Sequence, residues 1–142
     1  MIPGIDYTAI SISYMCHDGH GNYVFAKRGK NCRDEWGCWD NGGGRLEFGD
    51  RVEERLAKEI KEEYCADIIS SEFLGYRDVH REHDGKPTHW VALMFKVLVD
   101  RSQVKIGEPH KFDDIGWFTL DNLPSPLHSQ VETTIEKFKE RL

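Results

Sequence analysis

GGRLEFGDRVEERLAKEIKEEYCA, residues Gly43 to Ala66, joins a glycine-rich turn to an amphipathic helix. Val52, Leu56, Ile60 and Tyr64 recur every four residues, the spacing of one apolar stripe on a helix. Asp50 stands where an N-cap is expected, with Glu53 three residues on, as in a capping box. Near the end of the helix lie Glu59, Glu62 and Glu63. A helix turns about 100° per residue, so these three positions share a face beside the apolar stripe. Three carboxylates that converge repel one another unless something neutralises them. Hard divalent cations do so, and magnesium suits a carboxylate site completed by water and phosphate oxygens. The hexapeptide Lys58 to Glu63 alone reads as an ordinary solvated face, with Lys58 and Lys61 pairing with its glutamates. The sequence around it carries the functional reading.

Upstream, Ile5 to His17 alternates in part like a strand, Asp18 to Gly21 is a turn, and Tyr23 to Lys27 is a second strand. Gly29 to Cys38 is a polar loop, and Trp39 to Leu46 a short, glycine-interrupted strand. Downstream, Ile68 to Arg81 and His89 to Val99 form a long hairpin around Asp84-Gly85-Lys86-Pro87. WVALMFKVLV, from Trp90, is nearly continuous apolar sequence, as in a central strand covered on both faces. Ile115 to Thr119 is a short strand, and a closing helix begins at Pro126 or Leu127 and runs to Leu142. The order predicts one α+β domain over residues 1–142, with a mixed sheet between helices.

Composition narrows the partners. The chain has 142 residues, 39% of them apolar, with a net charge of -6. The mean hydropathy is -0.60 and no apolar run approaches the roughly 20 residues of a membrane span. The N-terminal stretch has no basic region or cleavage site, so no signal peptide is expected. The acidic balance argues against bulk nucleic acid as a partner, though an acidic protein can handle anions through bound cations. Cys16, Cys32, Cys38 and Cys65 form no CxxC pair, so a zinc framework is not expected and a reduced, cytoplasmic setting is.

The Gly43–Ala66 stretch resembles the signature of the Nudix hydrolase family, GX5EX7REUXEEXGU. Gly44 is followed by five residues and Asp50, then by seven residues and Lys58-Glu59-Ile60-Lys61-Glu62-Glu63-Tyr64-Cys65-Ala66. The box is divergent: Asp50 replaces a glutamate, Lys58 an arginine and Cys65 a glycine. We expect Asp50 and Lys58 to make a substituted acid–base contact supporting the ligand helix. If the family's glycine is a left-handed cap, Cys65 costs on the order of 1 kcal/mol there.

The resemblance implies the Nudix fold, an α/β/α sandwich with a central mixed sheet. It implies a metal-dependent pyrophosphohydrolase. Glu59, Glu62 and Glu63 would hold Mg2+ or Mn2+, with the main-chain carbonyl of Gly43 as a further ligand, and Gly44, Asp50 and Lys58 would support them. A metal-activated water would attack a nucleoside diphosphate linked to another moiety. The first substrate expectation is a nucleoside triphosphate, followed by a nucleotide sugar or dinucleoside polyphosphate. The general base is Glu62 or Glu108, the latter in the loop before the Trp117 strand. The alternative function is a non-catalytic nucleotide-binding module; an isomerase of diphosphate esters is a third. Because family members are often dimers, a homodimer stays open.

Outside the box, Lys27, Arg28 and Arg33 are candidates for substrate phosphates. Trp36 is a candidate for stacking on a base, and Trp39 for packing. His80, His83 and His89 suggest a metal cluster, but positions three apart on a strand face opposite ways. A zinc site on that spacing requires a bulge.

Overall fold

The computed structural model describes residues 1–142. Seven strands and two helices follow one another as β1 (Ala9–His17), β2 (Asn22–Arg28), β3 (Trp39–Asp40), β4 (Gly43–Arg45), α1 (Val52–Tyr64), β5 (Ile68–His83), β6 (Lys86–Val99), β7 (Phe112–Thr119) and α2 (Val131–Phe138). The sheet runs β3-β2-β1-β6-β5, with β4 also on β1 and β7 on β2. β1 pairs with β6 in parallel from Ala9↔Trp90 to His17↔Leu98, and the other ladders are antiparallel. The expected mixed sheet is present.

Alternation along the strands builds two apolar layers. Ile12, Tyr14 and Cys16 of β1 pack with Leu56, Ile60 and Tyr64 of α1, and with Phe95, Val97 and Val99 of β6. Met15, Tyr23 and Phe25 belong to a cluster with Val131 of α2, while Ala92 and Met94 pack with Phe138. The helices therefore lie on opposite faces. Leu56, Ile60 and Tyr64, the stripe read from the sequence, are each at most 1% exposed. Burying one such aliphatic side chain is worth roughly 1.5–3 kcal/mol.

Against expectation, Trp39 to Leu46 splits into β3 and β4, β6 begins at Lys86 and β7 at Phe112, and three further boundaries shift for a visible reason. β1 begins at Ala9 because the preceding residues fold into a turn, in which Gly4 N–H donates to Tyr7 O at 2.8 Å and Asp6 N–H to Ile2 O at 2.9 Å. α2 begins at Val131 because the backbone before it is already engaged. Trp39 N–H donates to Pro126 O at 2.8 Å and His128 N–H to Trp39 O at 2.9 Å. The N-cap of α1 is Arg51, with no side-chain cap. The Asp50 carboxylate accepts instead from Glu47 N–H at 2.8 Å and from Arg55 Nε at 2.7 Å. All four cysteines are free thiols. No helix is long and apolar enough to cross a membrane.

Candidate active site

The end of α1 is fixed from both sides. Cys65 adopts a left-handed conformation, φ 61°, and its N–H donates to Lys61 O at 3.0 Å. The chain after β6 returns to this terminus, where Lys105 N–H donates to Tyr64 O at 3.1 Å and Gly107 N–H to Glu63 O at 2.9 Å. A Cβ at Gly107 would collide with the carbonyl oxygen of Glu62, so only glycine allows this approach. Lys111 is thereby brought near Glu59 and Glu63, and Glu108 follows the Gly107 contact directly in the chain.

Gly43 and Gly44 pair with Ser13 and Ile12 of β1. Any side chain at Gly44 would strike the Glu59 carboxyl, so the box glycine is the seat of the first carboxylate. Asn41, 4% exposed, anchors the approach to this seat by donating to Tyr14 O at 3.0 Å and accepting at its own carbonyl from Tyr64 Oη at 2.9 Å.

The three glutamates occupy different environments. Glu59 Oε1 accepts from Arg55 Nη1 at 3.1 Å. Burial raises its carboxyl above the ordinary range against the pull of Arg55. Glu62 is exposed, with Lys58 Nζ 4.0 Å away. Glu63 is 2% exposed and its Oε2 has no hydrogen-bond partner. Desolvation pushes its pKa up to about 8, although Lys111 and Tyr14 pull it down. The expected convergence holds for the helix face but not for the oxygen atoms. Glu59 is drawn to Arg55, Glu62 faces outward and Glu63 inward, so the three carboxylates do not meet within 4.8 Å. Mutual repulsion favours that spread while nothing neutralises the set.

The expected Asp50–Lys58 contact is corrected. Arg55, not Lys58, pairs with Asp50 and also holds Glu59, at side-chain exposures of 13%, 24% and 14%. Lys58 lies along the exposed side of α1 toward Glu62. Arg55 sits three residues before Lys58, one turn earlier on the same side, and its fork can serve two carboxylates where an ammonium offers one point.

Across Gly42–Gly44, on the α2 face of the sheet, opens a cavity of about 340 Å³. Arg28 and Arg33, two of the candidates for substrate phosphates, line it. Arg28 is already committed, donating to Asp34 O at 3.0 Å, Asp34 Oδ1 at 3.2 Å and Asp40 Oδ2 at 3.1 Å. Arg33 is exposed at the rim. Trp36 is not part of the lining; it is 62% exposed and donates through Nε1 to Cys32 O at 2.6 Å. Trp39 packs edge-on against Phe118 with centroids 5.2 Å apart, as expected.

The sequence reading missed Arg77. It lines the cavity at 9% exposure, donates Nη2 to Gln130 Oε1 at 2.9 Å and leaves Nε without a partner. No carboxylate pairs with it. Arg77, Val79 and Arg81 alternate along β5 and all line the cavity, a period-two signal present in the sequence. Lys111 carried no such signal, because only the topology brings it to α1.

The profile of the NUDIX domain matches residues 8–141. The chain belongs to the Nudix family. Among relatives of this Nudix chain, the nucleoside triphosphatase NudI of Escherichia coli O139:H28 is 28% identical over 110 residues, spanning 72% of this chain and 77% of NudI. The crystal structure of a MutT NUDIX hydrolase from Burkholderia pseudomallei aligns with a TM-score of 0.80 and 26% identity, covering 92% of this chain and 97% of that one. A MutT protein from Methanosarcina mazei Go1 shares the fold, with a TM-score of 0.77 at 21% identity over 94% of both chains. This Nudix protein is a hydrolase acting on nucleoside diphosphate anhydrides, a class that generally uses divalent metals.

Proposed function

We propose that the chain is a metal-dependent pyrophosphohydrolase of nucleoside triphosphates, releasing a nucleoside monophosphate and diphosphate. The observation that carries this reading is Glu63: a buried carboxyl with one unpartnered oxygen, next to Glu59 in its Gly44 seat. Such a group costs free energy unless a cation joins it, and carboxylate oxygens of this kind fit magnesium or manganese. Glu59, Glu62 and Glu63 would hold the cation with the carbonyl of Gly43. Bound there, it would neutralise the diphosphate and lower the pKa of a coordinated water.

The protein's own residues do the rest. Arg55 holds Glu59 and ties it to Asp50. Glu62, the accessible member of the set, accepts the proton of the attacking water; Glu108, beyond the Gly107 contact, is the second candidate. As the water oxygen bonds to phosphorus, the anhydride P–O bond between the α- and β-phosphorus breaks, and its electrons leave with the diphosphate on attack at the α-phosphorus or with the nucleoside monophosphate on attack at the β-phosphorus. Lys111 offsets the negative charge gathered at the end of α1. Arg77, a buried cation without an acidic partner, offers its free Nε to an acceptor on the substrate in the cavity. NudI, a nucleoside triphosphatase, supports a triphosphate over a nucleotide sugar as substrate.

The test is a panel of nucleoside triphosphates, nucleotide sugars and dinucleoside polyphosphates incubated with Mg2+, with products read by mass. Monophosphate and diphosphate should appear from a triphosphate, and Glu63→Gln should abolish their release. General-base catalysis is worth roughly a hundredfold or more, so the true base among Glu62→Gln and Glu108→Gln shows a loss of that size. Nucleotide binding without metal-dependent turnover across the panel would refute the enzyme reading and favour a binding module.

A further inference from the structure

The β5–β6 hairpin presents a second cluster of metal-binding side chains, remote in sequence and chemistry from the carboxylates of α1. The sequence draws attention to His80 and His83, whose spacing argues against a site. The register assembles a different trio. His80 pairs directly with His89 across the ladder, and Asp78 lies two residues from His80 on the same face. One ligand atom from each of Asp78, His80 and His89 falls within 4.8 Å of the others. His83 is not among them and lies 3.4 Å from Asp84.

We propose that Asp78, His80 and His89 bind a zinc-class divalent cation, with water completing the coordination. Two imidazoles and a carboxylate form a borderline donor set that suits zinc, whereas magnesium prefers oxygen ligands. The Asp78 Oδ1 to His89 Nε2 distance is 3.0 Å, close to the ~3.4 Å edge of a tetrahedron built from zinc–ligand bonds of about 2.1 Å. The His80 and His89 rings are stacked with centroids 4.1 Å apart, so both nitrogens lie within reach of one cation once the rings tilt toward it.

The group behind His89 completes the argument. Thr8 Oγ1 lies 3.0 Å from His89 Nδ1. Without metal, Nε2–H donates to Asp78 and Nδ1 accepts from the Thr8 hydroxyl. With metal on Nε2, the proton sits on Nδ1 and donates to the Thr8 oxygen. A hydroxyl serves both tautomers, so binding reorients one O–H instead of breaking a contact. His89 N–H also donates to Gly4 O at 2.8 Å. The cation would therefore staple the hairpin beside its junction with the N-terminal turn. Val79 and Trp90, the neighbours of these ligands on the opposite face, line the nucleotide cavity.

Zinc is titrated into the full chain under millimolar Mg2+, with binding read by chelator competition and by 15N signals of the histidine rings. The expectation is one zinc per chain, with His89 moving to the Nδ1–H tautomer. The paired change His80→Ala and His89→Ala should weaken binding at least tenfold, and Thr8→Val should weaken it to a lesser degree. Glu63→Gln should leave it unchanged, which separates this site from the carboxylates of α1. Unshifted His80 and His89 signals, or equal zinc affinity in the paired variant, would overturn the proposal.

Discussion

At the scale of single residues, Glu63 makes the metal-free protein lose stability as pH rises, opposite to the depressed carboxyls such as Asp18. Its folded pKa is about 8 against an ordinary value of 4.5. Below pH 4.5 folded and unfolded chains both carry the proton. Between 4.5 and about 8 the folded chain keeps a proton that the unfolded chain has released, so stability falls as pH rises, and above about 8 the loss levels off. Glu63→Gln removes that dependence. Metal-free, the variant should be more stable than the parent at pH 8 by on the order of a few kcal/mol, with the gap closing near pH 4, as read by denaturant titration. Saturating Mg2+ should reverse the order, stabilising the parent and not the variant. The glutamates were legible in the sequence because their spacing to Gly44 is rigid. The partner of Asp50 was not. Lys58 occupies the aligned position, but Arg55 has the fork to reach both Asp50 and Glu59. A register names positions, whereas hydrogen-bond geometry chooses among neighbours on one helix face.

At the scale of elements, α1 was read within two residues of its observed start because its apolar stripe is strong. Its ends depend on local chemistry that competes with pattern. At the start, Asp50 prefers Arg55 and the Glu47 N–H to capping the helix. At the end, Cys65 takes a left-handed conformation that a glycine adopts without strain. Cys65→Gly should therefore stabilise the fold by about 0.5–1 kcal/mol, the relief of a non-glycine residue in that region less the added freedom of the unfolded chain. Equilibrium unfolding in urea would measure it. α2 was predicted too long because its apolar periodicity extends over residues whose backbone bonds Trp39, a tertiary preference invisible to periodicity.

For the molecule as a whole, the cavity wall comes from segments far apart in the chain. Glu35, at φ 49°, accepts from Ser129 N–H at 2.7 Å, from Ser129 Oγ at 2.9 Å and from Arg81 Nη2 at 2.7 Å, with His128 Nε2 also 2.7 Å away. One carboxylate thus joins the loop after β2, the strand β5 and the entry to α2. Glu35→Ala should raise KM several-fold with a smaller change in kcat, and amide exchange should quicken around Ser129 and Arg81. Equal KM and unchanged exchange would show the wall standing without it. Sequence reading reached the order of elements along the chain and the hairpin of β5 with β6, since strand patterns are local, but not the order of strands in the sheet. It did not reach this wall, because nothing in the neighbourhood of Glu35 records that Ser129 will arrive there.

The parallel pairing of β1 with β6 also has a temporal side. Ala9 meets Trp90, a separation of 81 residues that no hairpin can shorten. Closing so long a loop is slow compared with zipping β5 onto β6 or winding α1. A growing chain will therefore have made the whole of α1 well before β1 gains β6, its third partner after β2 and β4. A nascent chain halted short of Trp90 exposes the unpaired edge of β1, so ribosome stalling there would leave a species prone to aggregate, with all of α1 already synthesised.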